Sequence, residues 1–243
     1  MCNLYNISKG PQAILDFTRA MRSEAGNLEP GSVYPDYSAP IVRNSDGGRV
    51  LARARWGLPS SRKALMDAAS RRADKLRAKG KEVDFDQILK MEPDGGTTNV
   101  RNTASRHWKP WLGVENRCLV PFTSFAEPDP ANQPVGGRTP NAWFSIGPDY
   151  PLAFFAGIWV SQWESVRKVR DGLVTADLYG FLTTEPNAVV APVHPKAMPV
   201  ILTTAGEVDT WLSAPWEEAK ALQRPVDDEL LTIVPKPEAT DGA

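Results

Sequence analysis

The sequence predicts a single α+β domain built on antiparallel sheet, and three observations point there. From Arg117 onward, short apolar or alternating runs recur between Gly, Pro and Asn residues, the pattern of strands joined by tight turns. Strand-like and helix-like stretches do not alternate, which argues against a parallel βαβ sheet. The chain of 243 residues is 42% hydrophobic, enough for one sizeable core, and no linker, internal repeat or low-complexity tract divides it. The domain is expected to span residues 1–235, with residues 236–243 as a frayed tail.

Taken in order, residues 1–7 read as a short strand that carries Cys2 into the body. Residues 11–26 read as a helix: Ile14, Phe17 and Met21 fall on one face, Pro11 suits the first turn and Gly26 the stop. Residues 27–46, rich in Pro, Gly, Ser and Tyr, read as loop with a short strand over 39–43. A further strand ends at Trp56. Residues 60–82 are helix-compatible and basic, with Arg62, Lys63, Arg71, Arg72, Lys75, Arg77, Lys79 and Lys81 against Asp67, Asp74 and Glu82. Strands are predicted over 117–125, 141–146, 152–160, 178–183 and 198–202. Two short helices follow over 207–212 and 215–223, and a last strand over 230–235.

Composition narrows the function classes. The formal net charge is −1, so any nucleic-acid surface must come from uneven distribution of charge. Two cysteines (Cys2, Cys118) and two histidines (His107, His194), with no C-x-x-C, exclude a disulfide framework and give no obvious zinc site. No metal or cofactor is expected. The opening Met-Cys-Asn-Leu-Tyr-Asn lacks the charged and apolar regions of a signal peptide, and no run approaches the ~18 apolar residues of a membrane span. The expectation is a monomeric protein of the reducing cytoplasm, where a free thiol persists.

Cys2 is the first candidate for chemistry. Initiator methionine is normally removed before a small residue, and removal leaves an α-amine and a thiol on adjacent carbons. The amine, with a reference pKa of about 7.7–8.0, is partly neutral near pH 7. It can condense with an aldehyde to a Schiff base, and the sulfur can then close a five-membered thiazolidine. From position alone, Cys2 reads more readily as a small buried residue. Asn99 and Arg101, two apart on an extended segment, point the same way. Asn99 can orient an amine and Arg101 can hold a phosphate; a turn Asn and a surface Arg read as well. Glu127 ends an apolar run, where desolvation raises a carboxyl toward acid–base use, unless it simply turns to solvent. Cys118 reads as core. His194 lies in a proline-rich turn before a strand, as working histidines often do, or else only caps that turn. His107 beside Trp108 and Trp111 reads as structural or as a nucleic-acid contact. Trp56, after Arg53 and Arg55, could stack a base while the arginines hold backbone; packing in the core is the alternative. The basic segment 60–82 is either a phosphate-facing helix or a solvated face.

Met1-Cys2, Trp56-Gly-Leu-Pro, Asn99-Val-Arg101, the run from Arg117 to Glu127, Ala156-Gly-Ile-Trp159, residues 183–187 and residues 194–202 occur in one order. That ordered set resembles the SRAP family, the abasic-site-processing proteins once named SOS-response-associated peptidases, from Met1 to about Trp211. The resemblance implies a distorted β-barrel with a positively charged groove for single-stranded DNA. It also implies an N-terminal cysteine that forms a thiazolidine with the ring-opened abasic sugar and so shields the lesion. It matches Cys2 to that cysteine, Asn99 to the residue that positions it, Arg101 to a phosphate contact, Glu127 to the acid for ring opening and His194 to the histidine near the sugar oxygen. The peptidase name implies self-removal of Met1. The chain departs from the family pattern at Asn3-Leu4, where Gly-Arg is common, and at Asn102-Thr103, and its segment 60–96 is longer than in short members. Two other readings stand beside this one: an N-terminal-cysteine amidohydrolase or peptidase, and a non-covalent single-stranded DNA-binding module.

Overall fold

The computed structural model describes residues 2–237. The chain begins with β1 (Leu4–Ile7), α1 (Pro11–Thr18), β2 (Arg22–Ser23), β3 (Gly31–Val33), β4 (Ser38–Ser45) and β5 (Gly48–Trp56). Two helices, α2 (Arg62–Arg77) and α3 (Phe85–Lys90), precede β6 (Asn99–Val100), β7 (Arg117–Phe122), β8 (Ser124–Pro128) and β9 (Asn141–Ile146). Then come the long pair β10 (Ala153–Val166) and β11 (Leu173–Thr184), followed by β12 (Met198–Pro199) and β13 (Ile201–Leu202). The chain ends with α4 (Ala205–Ser213), α5 (Trp216–Ala219) and β14 (Leu231–Val234). No helix among the described residues is long and apolar enough to cross a membrane.

The fold is α+β, a single compact domain around a distorted barrel. β5 pairs antiparallel with β4 and parallel with β11, at Leu178↔Arg55 and Tyr179↔Trp56. Strands β5, β4, β7, β10 and β11 therefore close on themselves. A second sheet, in the order β14-β9-β8-β1-β3, packs against this ring. Tyr5, Trp56, Phe122, Phe125, Phe144, Phe155 and Phe181 form one buried cluster shared by the two sheets. The opposite face of β7 and β10 places Leu119, Phe154 and Ala156 with Ile14 of α1 and Val208 and Trp211 of α4. With both faces covered, all six residues of β7 are buried, and its sequence runs apolar without alternating.

Several element boundaries differ from the sequence expectations. The helix predicted over 11–26 stops at Thr18, because Arg19 turns left-handed (φ 52°) and residues 22 and 23 pair with Val50 and Leu51. Met21 is then 74% exposed. The loop predicted over 27–46 carries the eight-residue β4, which turns through Asp46-Gly47 into β5, a two-residue hairpin loop of favoured sequence. The strand predicted over 117–125 is two strands in different sheets; the chain changes sheet at Thr123, whose N–H donates to Asn6 O (2.8 Å). β10 and β11 outrun their apolar segments as a hairpin, with an irregularity between Val160 and Trp163. Six residues of the expected tail, 238–243, lie outside the described residues.

Candidate active site

Cys2 enters the barrel just before β1. β1 is held between β8 and β3, with Leu4↔Ala126 and Tyr5↔Phe125 in register on one side and Tyr5↔Val33 on the other. Cys2 is 1% exposed and packs in the same cluster as Tyr5, Trp56 and Phe181. Its thiol faces Leu4 O at 3.5 Å. Burial, and next the charge of Glu127, hold that thiol well above its ordinary pKa, so it is protonated at neutral pH.

Asn99 is brought to Cys2 by β6, which lies parallel on β11 with Asn99 opposite Phe181. Its Nδ2 donates to Cys2 O (2.9 Å) and to Thr98 Oγ1 (2.7 Å). Its buried Oδ1 has no hydrogen-bond partner among the described residues. Glu127 lies on β8, on the same side as Phe125 by strand alternation, and is fully buried. Burial pushes its carboxyl up to about 7. His194 sits in the loop between β11 and β12, at the end of β11 where Thr184 pairs with Met198. Its Nδ1 lies 2.8 Å from Ala197 O and 3.2 Å from Ala197 N, which fixes the ring. Val189, Val190 and Val193 of that loop pack on the cluster that holds Cys2.

The other expected contacts fall differently. Arg101 stands past the end of β6, exposed, in an ion pair with Glu185 at 3.2 Å, whereas Asn99 is buried; the expected shared face is interrupted because β6 is only two residues long. Trp56 offers no face to a base. It is 1% exposed, stacked on Phe181 with ring centroids 5.3 Å apart, edge-on to Tyr5 at 5.1 Å, and its Nε1–H donates to Thr98 O (3.1 Å). Alternation along β5 sends Ala54 and Trp56 inward and Arg53 and Arg55 outward. Arg53 is spent on Ala25 O and Asn27 O (2.6 and 2.5 Å), and Arg55 on the Asp36 carboxylate at 2.7 Å. These two arginines therefore brace the 25–36 segment rather than flank an open indole. His107 is bound to Pro59 O (2.9 Å) and edges onto Trp108 and Trp111. Cys118 is core, as expected.

Two features of the site escape sequence reasoning. The hydroxyls of Tyr5 and Tyr179 share a buried hydrogen bond of 2.5 Å within the Cys2 cluster. The strand that carries Asn99 is anchored from behind by Arg167, whose guanidinium donates to Asp94 O (2.9 Å) and Gly57 O. In both cases the partners are far apart in sequence, and only the strand order could have joined them.

The arrangement is that of an α+β barrel with a cysteine beside its N-terminus, a carboxamide on that cysteine's carbonyl and a buried carboxyl of raised pKa close by. The family model described as SOS response associated peptidase (SRAP) matches residues 1–239, and the chain belongs to that family. The family ties the chain to the response to DNA damage and, by name, to peptidases. Solved structures share the fold. A protein from Bordetella bronchiseptica superposes with TM-score 0.63 at 22% identity, covering 95% of this chain and 97% of that one. A protein from Bacteroides thetaiotaomicron gives TM-score 0.65 at 20% identity, covering 95% and 90%. A phage-related protein from Bordetella bronchiseptica gives 0.60 at 16%, covering 95% and 92%. Among curated proteins, none matches the sequence.

Proposed function

We propose that this chain recognises abasic sites in single-stranded DNA and bonds to them through Cys2 once Met1 has been removed, shielding the lesion. The observation that carries the reading is the hydrogen bond from Asn99 Nδ2 to Cys2 O (2.9 Å). It ties the cysteine's backbone to a strand of the barrel, where the charge of Glu127 is felt. In the peptidase sense of the family's description, the bond cleaved is the chain's own Met1–Cys2 peptide.

Removal of Met1 turns the Cys2 nitrogen from an amide into an amine. The thiol is held protonated by burial, so the amine attacks first. Glu127 relays the proton that opens the sugar to its aldehyde. The amine adds to C1′, His194 protonates the departing hydroxyl, and water leaves to give the Schiff base. Sulfur then adds to the same carbon and its proton passes to the Glu127 carboxylate. The balance is aldehyde plus aminothiol giving thiazolidine plus water. Holding the reactants in one place supplies most of the rate. Arg101, exposed at the rim, takes a backbone phosphate in exchange for Glu185.

The test is a denaturing gel. An oligonucleotide with one abasic site, incubated with protein, heated in detergent and resolved, is expected to leave a shifted band. Cys2→Ala is expected to abolish it. Cys2→Ser is expected to bind DNA and form at most a weak, reducible imine. A wild-type protein with Met1 shown by mass spectrometry to be gone, yet with no surviving band, overturns the reading and leaves a non-covalent binder. Turnover of small amides by the same sample would instead favour an amidohydrolase.

A further inference from the structure

The segment between Leu58 and Asn99 touches the barrel through polar bonds at its returning end, where Asp94 N–H donates to Val166 O and Phe181 N–H to Thr98 O, and it adds no side chain to the apolar core. No residue from 59 to 98 belongs to any of the three core clusters. The segment leaves and re-enters at one point, where Leu58 and Thr97 exchange backbone hydrogen bonds (2.9 and 2.8 Å). Between those ends stand α2 and α3, which pack on one another. α2 is a well-formed helix, capped by Ser61, whose side chain accepts from Ala64 N, and only Ala69 and Ala73 on it are buried.

Charge is concentrated here. Residues 60–82 hold eight of the chain's 28 lysines and arginines but three of its 29 acids, so the remainder of the chain is net negative. Part of this charge is answered locally: Lys63 pairs with Asp67, Arg77 with Asp74 and Arg72 with Glu92. Arg62, Arg71, Lys75, Lys79 and Lys81 are exposed. Ala68, Arg71, Arg72 and Lys75 share one side of α2, where they line a shallow trough of about 390 Å³ with Glu92. Residues four apart stand about 6 Å apart along the helix axis, so Arg71 and Lys75 stand in line on α2, and Lys79 is exposed in the turn that follows its last residue. Arg71 and Lys75 are exposed cations on one side of a helix that adds no side chain to the core clusters, a surface complementary to an anionic partner.

We infer that α2 is a phosphate-binding arm that grips the DNA backbone flanking the lesion. The inference rests on the DNA reading above and adds to it a second contact region. The arm rejoins the barrel at Thr97, two residues before Asn99, and in this proposal the backbone it holds is continuous with the strand at the site. The contact is to phosphates and carries no base preference.

The experiment uses undamaged DNA, so that crosslinking plays no part, and measures fluorescence anisotropy across a salt series. Probes are a short single strand, a long single strand, and the long strand with a duplex flank. The full chain bearing Arg71→Ala, Lys75→Ala and Lys79→Ala is compared with wild type, and with Arg71→Lys/Lys75→Arg as the charge-keeping control. The triple variant is expected to bind long DNA about tenfold more weakly at low salt, with a salt slope shallower by about 2. The control is expected to match wild type. A loss confined to the flanked probe assigns the arm to duplex, and a loss on both long probes assigns it to single strand; either supports the arm. Equal affinity and equal slope for triple variant and wild type overturn it, as does a wild type that binds no long DNA. The abasic-site gel is read separately, so a crosslink that forms normally alongside unchanged binding sinks the arm and spares the covalent reading.

Discussion

A carboxyl with no access to water is an unstable thing to keep charged, and Glu127 is such a group. Burial moves it from 4.5 to about 7. Between those values the folded chain holds a proton that the unfolded chain has released, so stability falls as pH rises through that window and stays lowered above it. The loss amounts to about 3 kcal/mol above pH 7. Glu127→Gln, which never ionises, is therefore expected to be more stable than wild type at pH 8 and to gain nothing at pH 4.5; urea midpoints at the two values check this. The same pKa suits proton transfer near neutrality. Adduct formation is expected to rise with pH as the Cys2 amine loses its proton, near 8 by its reference value, and to fall as Glu127 loses its own near 7. The result is a narrow maximum between the two. In Glu127→Gln the adduct should form at least about tenfold more slowly, without the limb near 7. An unchanged profile in the variant would remove Glu127 from the reaction.

At the scale of elements, the site depends on where β6 is held, and β6 is held by two glycines and an arginine. Gly96 has φ +75°, and a Cβ there would lie 2.9 Å from Gly57 Cα and 2.5 Å from an Arg167 guanidinium nitrogen. Gly96→Ala is expected to cost about 1–3 kcal/mol from backbone strain alone. It should also slow adduct formation, because the strand that yields carries Asn99 three residues on. Thermal unfolding and the adduct rate on one sample test this; a loss of stability with an unaltered rate would mean that β6 does not set the position of Cys2. The pairing of Arg167 with Asp94 was not legible in sequence, because the two lie 73 residues apart. Whether a feature is set locally or by a distant pairing explains the other outcomes. Residues 141–146 were readable as a strand because both ends carry turn residues. The helix from Pro11 was readable at its start and not at its end, since pairing with β5 decides the stop. Trp56 could not be assigned from its neighbours: alternation puts it on the opposite face from Arg53 and Arg55, and only the barrel closure through β11 makes that face the interior. Cys2, Asn99 and Glu127 were nominated by residue type and order, and their meeting depends on β1 lying beside β8 and β6 lying on β11.

Across the whole molecule, apolar burial and positive charge have been separated. The two sheets and α1, α4 share the buried clusters, while α2 and α3 stand outside them with the exposed cations. Cooperative unfolding follows buried contact, so the two regions are expected to open independently. Helices of 16 and 6 residues with this little buried surface are marginal on their own. Native-state hydrogen exchange should therefore show α2 and α3 amides exchanging through a local opening well below the global free energy. Amides of β7, β10 and β11 should exchange only on global unfolding. Ligand is expected to change the first class and not the second: a long DNA strand held by the arm should slow exchange in α2, and raising salt should abolish that protection. Equal protection in α2 and β10 without DNA would show that the arm is part of the barrel's cooperative unit, despite its absence from the core. The helix would then owe its place to stability, and its charge would need another cause.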